Sequence, residues 1–339
     1  MTERWKHRPP GSNWGDFGPD DQVGRLNLIT PERRLKAMAE VRTGEVFCLS
    51  LPLDLPGGNA LHPHRHPPRR HSEERSPGKH CVNYELSQVN PDFVDSVCDD
   101  HVVLYLQYST QWDALAHIGR RFDADGDGAA EIVYYNGYRA GTDILGADQP
   151  GGPAARALGI ENMAATGVQG RGVMVDLHGA FGDGRTLVGY DALMRVMEAD
   201  GVVVEPGDLL CLHTGFARMI LEMGGQPDAH ALHHRCAVLD GRDERLVAWV
   251  EESGVAALIA DNYAVEGYPN PARHDGPHEA LPLHQACLFR LGIHLGELWH
   301  LSELNGWLRR HKRSRFLLTA PPLRLPGSFG SPVTPVATV

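Results

Sequence analysis

Apolar positions recur along the chain at two periods, and the switch between them marks out the elements. Leu35, Met38, Ala39 and Val41 are spaced as one helical stripe. Thr30-Pro31-Glu32 ahead of them offers a capping hydroxyl and a proline at the first helical position, and Gly44 is placed to stop the helix. Residues 46–53 read as a strand. From residue 101 onward, β-branched and aliphatic runs alternate with helix-period stretches. Residues 101–108, 172–177, 209–213, 255–260 and 293–298 read as strands. Residues 190–199, 243–252 and 284–291 read as helices, stopped by Gly201, Gly254 and Gly292. Such alternation predicts an α/β architecture. No internal repeat and no linker composition interrupts it, so one domain over residues 1–339 is expected. Residues 1–25 are expected to lie on the body as an N-terminal arm. The Pro-, Gly- and Ser-punctuated tail is expected to run along the surface.

Residues 54–80 break the pattern. They hold five histidines (His62, His64, His66, His71 and His80) among Pro, Arg and Gly, a composition unsuited to a core element. A long loop of this kind is functional or mobile, and Arg65, Arg69 and Arg70 suit a lid over an anionic substrate or a metal-binding tract.

Composition narrows the classes. Hydrophobic residues make up 42% and charged residues 22%, an ordinary globular balance that argues against a disordered chain or a coiled coil. No run approaches the roughly 20 apolar residues of a membrane span. A polar N-terminus without an apolar stretch predicts no secretory leader. Thirty-two Lys+Arg against 43 Asp+Glu leave a net charge of −11 and no basic run, a poor match for nucleic acid. Six cysteines without a Cys-x-x-Cys pair argue against a disulfide scaffold or a cysteine zinc cluster, and predict a cytoplasmic protein with reduced thiols. Histidine, at 19 residues, is the outlier.

The densest candidate chemistry is the stretch Gln107 to His117, which follows a predicted strand and looks like the opening of a helix. Asp113 and His117, four apart, would share a helix face and suit a divalent metal; Asp113 as a helix cap is the plainer reading. His284 and Glu297 sit on a predicted helix–turn–strand unit that can fold both toward one point. A carboxylate in the apolar stretch around Glu297 needs a metal or an arginine as partner, unless it is a surface group beside a capping histidine. Trp112 beside the motif and His213 at a strand end are candidate substrate contacts; a hydrogen-bonded core histidine is the alternative for His213. Asp123-Ala124-Asp125-Gly126-Asp127-Gly128 matches half of a calcium loop, but Tyr134 stands where the bidentate Glu belongs, so an acidic turn is expected. No Gly-x-Ser-x-Gly elbow occurs, which argues against a serine hydrolase, and the glycines of 167–172 precede a strand rather than follow one.

These residues, in this order, resemble the cyclase-like metal-dependent hydrolases, the group that includes bacterial kynurenine formamidase and isatin hydrolase. The family's His-x3-His-x-Asp-x3-His pattern falls on Gln107, Gln111, Asp113 and His117, and its distant His and Glu fall on His284 and Glu297. Further matches are Asp20-Asp21-Gln22-Val23-Gly24, Tyr135-Asn136-Gly137, Thr214-Gly215 and Ala260-Asp261-Asn262 with Glu266. The resemblance covers nearly the whole chain and follows the longer members. It implies a mixed β-sheet with flanking helices (a swivelling β/α/β arrangement), an assembly of two or more copies, and hydrolysis of an amide, cyclic imide, lactam or lactone of a small molecule. Two family histidines are glutamines here. One divalent metal, zinc or manganese, is therefore expected, held by Asp113, His117, His284 and Glu297, with His117 as base and Gln107 and Gln111 as oxyanion donors. The alternatives are an acid/base cyclase or dehydratase acting on a polyketide-like intermediate, and a degenerate member that only binds a ligand.

Overall fold

The computed structural model describes residues 4–269 and 278–339. Its centre is a nine-stranded mixed sheet. The strands are β1 (Val46–Cys48), β2 (Gln111–Asp113), β3 (Gln169–Asp176), β4 (Leu209–His213), β5 (Ala257–Ala260), β6 (His294–Glu297), β7 (Arg315–Thr319), β8 (Gly330–Pro332) and β9 (Val336–Thr338). Their spatial order is β1-β9-β7-β3-β4-β5-β6-β2-β8. β3 to β6 run parallel, and every flanking pair is antiparallel. β5 is apolar throughout and β4 is apolar up to His213, because both faces of these central parallel strands are covered.

Alternation along each strand sorts side chains to two sides. Val173, Val175, Leu210, Leu212, Leu258 and Leu295 belong to one core cluster, with the helices α2 (Tyr190–Ala199) and α3 (Glu244–Ser253). Met174, Leu209, Cys211, Ile259 and Trp112 belong to the other, with Leu304, Trp307 and Leu308 of α4 (Ser302–Arg310). By the two-residue period, Gln111, Asp113 and Glu297 fall on the first side, and Asp176 and His213 on the second.

The caps follow the sequence. Thr30 accepts from Arg33 N ahead of the helix Pro31–Met38, Asp243 caps α3, and Gly254 ends it at φ 69°. Three expectations need correction. The stripe on Pro31–Met38 faces outward: Leu35 is 66% and Met38 54% exposed, and the small Ala37 meets the body instead. Only residues 101–103 of the strand expected at 101–108 are extended, within Asp100–Val103, which pairs with Arg69–Ser72 in an exposed two-stranded ribbon. The arm is anchored in the body by Trp14, which is buried in the core and whose Nε1 donates to Phe289 O at 2.8 Å. Its path needs Gly24, at φ +58°, where a Cβ would lie 2.0 Å from Gly292 O. The tail is not superficial. It supplies β8 and β9, and Pro332 is tolerated because β8 is an edge strand.

Candidate metal centre

β2 and β6 lie side by side with Gln111 opposite Glu297 and Asp113 opposite Leu295. This register sets the two carboxylates on one side of the sheet. Asp113 is therefore on a strand and not on a helix, which corrects the helical reading of the 107–117 stretch. His117 follows in a turn, its N–H bonded to Ala114 O. The pairing expected from a helix face survives by another route, with His117 Nε2 4.0 Å from Asp113 Oδ1. His284 arrives from Pro282–His284, which continues into a π-helical stretch, Gln285–Leu291, that Gly292 ends at φ 58°.

One ligand atom each from Asp113, His284 and Glu297 lies within 4.8 Å of the others, and all three residues are buried. Both Asp113 oxygens are buried without a hydrogen-bond partner. Leaving a carboxylate in that state is costly unless a cation or a proton compensates it, so the donor set fits a divalent metal. Burial pushes the Asp113 carboxyl up from the ordinary aspartate range; His117 opposes the shift and Glu297 adds to it. Burial would also raise Glu297, but the hydrogen bond and charge of His284 hold it below the usual glutamate value. His284 would be lowered by burial, yet hydrogen bonds to Glu266 and Glu297 raise it to about 10. Its proton takes the place a cation would fill, and metal binding must displace it.

Glu266 is the residue whose role the sequence did not announce. It is fully buried and accepts from His284 Nδ1 at 2.9 Å and from His284 N at 2.8 Å. That fixes the ring and turns Nε2 toward Glu297, 3.2 Å away. The only advance signal was Glu266's place in the family pattern after Asn262.

The cluster opens on a cavity of about 130 Å³ lined by Gln107, His117, His284 and Glu297, by Tyr108, Tyr263, Leu281 and Leu298, and by the loop residues Leu61, His62 and Arg65. Arg65 Nη1 donates to Gln107 O at 2.7 Å. The first part of the 54–80 loop is thus a cavity wall, while its later part forms the exposed ribbon.

Gln107 faces the cavity, but Gln111 is committed elsewhere. Its Nε2 donates to Glu297 Oε2 at 2.9 Å, and its unpartnered atom is the acceptor Oε1. Trp112 is buried against Trp299, with Nε1 donating to Ala320 O, and does not line the cavity. His213 lies on the other side of the sheet, hydrogen-bonded to Asp176 and Ser302. Asp123, Asp125 and Asp127 form an acidic turn in which Asp123 accepts from three backbone N–H groups.

Comparison with known proteins agrees with this frame. The Cyclase family model matches residues 49–267. The chain belongs to the cyclase family. The crystal structure of a novel cyclase is 31% identical, with a TM-score of 0.74 over 98% of this chain and 100% of that one. Isatin hydrolase A from Ralstonia solanacearum is 16% identical (TM-score 0.55, 91% of this chain and 97% of that one). Isatin hydrolase A from Labrenzia aggregata, bound to benzyl benzoate, is 14% identical (TM-score 0.52, 89% and 95%). At that identity these two share the cyclase fold with this chain. No curated protein matches by sequence.

Proposed function

We propose that this cyclase-family protein is a metal-dependent hydrolase that opens an amide, cyclic imide, lactam or lactone bond of a small molecule. The observation that carries the reading is the pair of unpartnered, buried Asp113 oxygens beside His284 and Glu297. Asp113, His284 and Glu297 would hold one zinc or manganese ion, with His117 as the fourth ligand or as a base beside it. When bound, such an ion acidifies water and polarises a carbonyl.

The chain's own residues supply the rest. His117 is partly exposed at the cavity and takes the proton of the attacking water, then delivers it to the leaving nitrogen or oxygen. Gln107 lines the cavity, and its amide would donate to the carbonyl oxygen as charge grows there. Gln111 holds Glu297 in place, and Glu266 does the same for His284. Arg65, at the wall, attracts an anionic substrate and stabilises the carboxylate that ring opening creates.

The chain is further proposed to act in the cytoplasm, its six cysteines being free, and to assemble as a homodimer or larger. Val89, Phe93, Val94, Val102 and Val103 are exposed on and around the ribbon, with Val94 at 95%, which supports burial against another copy. No helix among the described residues is long and apolar enough to cross a membrane.

A panel of formamides, cyclic imides, lactams and lactones, run with and without chelator, tests the activity. Turnover that chelation abolishes and zinc or manganese restores is expected. Turnover indifferent to chelation would favour acid/base cyclase or dehydratase chemistry, and ligand binding without turnover would favour a non-catalytic member.

A further inference from the structure

The side of the sheet away from the metal cluster carries a second set of groups that the proposed hydrolysis does not use. Asp176 ends β3 and His213 ends β4, neighbouring parallel strands in which these two residues are paired. Ser302 begins α4, the nine-residue helix packed on this side. His213 Nδ1 lies 2.8 Å from Asp176 Oδ1, and His213 Nε2 lies 3.0 Å from Ser302 Oγ. The carboxylate is fully engaged: Oδ1 also accepts from Gly179 N at 2.9 Å, and Oδ2 pairs with Arg309 Nη1 at 2.9 Å. Burial would raise the Asp176 carboxyl, but the hydrogen bonds of His213 and Gly179 outweigh it and hold it well below the usual range. An ionised Asp176 can only accept, so the proton of neutral His213 sits on Nδ1 and Nε2 is left as the acceptor for the Ser302 hydroxyl. His213 is 5% exposed, whereas Ser302 keeps partial access to solvent.

We propose that Ser302, His213 and Asp176 form a second, metal-independent nucleophilic site that accepts the acyl group of small, activated esters. Order and geometry are those of an acyl-transfer triad: nucleophile, base, and a carboxylate that orients the base. Ser302 Oγ attacks the ester carbonyl carbon while His213 Nε2 takes the hydroxyl proton. The carbon–oxygen bond to the alcohol breaks, His213 returns that proton to the departing alkoxide, and an acyl-Ser302 ester remains. Water then attacks the acyl carbon, His213 accepts its proton, and the Ser302 oxygen leaves and is reprotonated. The net products are one carboxylic acid and one alcohol, with no further reactant. The first-turn N–H groups of α4, beginning with that of Ser302 itself, have no acceptor within the helix and are available to the developing oxyanion. The sequence offers no warning, because His300-Leu301-Ser302-Glu303-Leu304 contains no glycine elbow.

The test uses the full chain, a small alkyl fluorophosphonate and p-nitrophenyl acetate, with intact-mass and peptide mapping. One phosphonyl adduct on Ser302 is expected, formed equally with and without chelator. Ester turnover should persist in chelator and fall at least about 100-fold in both Ser302→Ala and His213→Gln. Thermal melts of both variants separate a lost nucleophile from a lost fold, and Ser302→Cys should restore acylation as a thioester. Absence of any adduct on Ser302 in the wild-type chain overturns the proposal. So does an adduct that forms at the same rate in a folded His213→Gln variant, since the serine would then react without its base.

Discussion

At the scale of single residues, the site is a problem of charge compensation. Two carboxylates and an imidazole converge in a buried cluster, and the Asp113 oxygens find no donor. Glu266 is predicted to act through His284. Glu266→Gln should weaken zinc or manganese binding about 10- to 100-fold, read as a dissociation constant against a competing chelator; unchanged affinity would remove Glu266 from the account. Gln107→Ala should lower kcat about 100-fold at unchanged metal content, with KM little altered, which steady-state kinetics beside elemental analysis would show. Asp113, His284 and Glu297 were legible because their side chains advertise metal chemistry. The roles of Gln111 and Glu266 were not, since they depend on which atoms face each other across β2, β6 and the turn before His284.

At the scale of elements, the register of β2 between β6 and β8 sets Gln111, Asp113 and Glu297 on one side of the sheet. Gly330 of β8 lies opposite Asp113, and a Cβ there would come within 2.5 Å of Gln107 Nε2 and 2.9 Å of Trp112 O. Gly330→Ala should therefore cost about 1–3 kcal/mol of stability and reduce turnover by displacing Gln107, measured by denaturant unfolding and kinetics. An unshifted unfolding midpoint would mean the strand yields freely. The parallel strands and their helices could be read from periodicity: residues 190–199 and 209–213 agree with Tyr190–Ala199 and Leu209–His213 to the residue. The 107–117 stretch misled because Asp113 and His117 meet across a strand end and a turn, at a sequence spacing that a helix shares.

At the scale of the molecule, distant segments complete the sheet and the cavity. The arm inserts Trp14, the tail supplies β8 and β9, and the 54–80 loop walls the cavity. Trp14→Ala should destabilise the chain by about 3–5 kcal/mol, although Trp14 is remote in sequence from most of the core it joins; a loss under about 1 kcal/mol in denaturant unfolding would contradict that role. The exposed apolar residues between Val89 and Val103 lead to a separate prediction. Phe93→Asp with Val94→Asp should shift the assembly toward monomers in light scattering without lowering the melting temperature of the monomer. An unaltered molar mass would place the interface elsewhere. Sequence reading underestimated the arm and the tail because Gly and Pro punctuate close-packed chain as readily as they punctuate loops.

A catalytic cation held by Asp113, His284 and Glu297 underlies the proposed hydrolysis. Elemental analysis of the purified chain beside a folded Asp113→Ala variant tests it most directly. About one zinc or manganese per chain, lost in the variant, is the predicted result. Equal metal in both proteins, or none in either after incubation with excess zinc and manganese, would contradict the account.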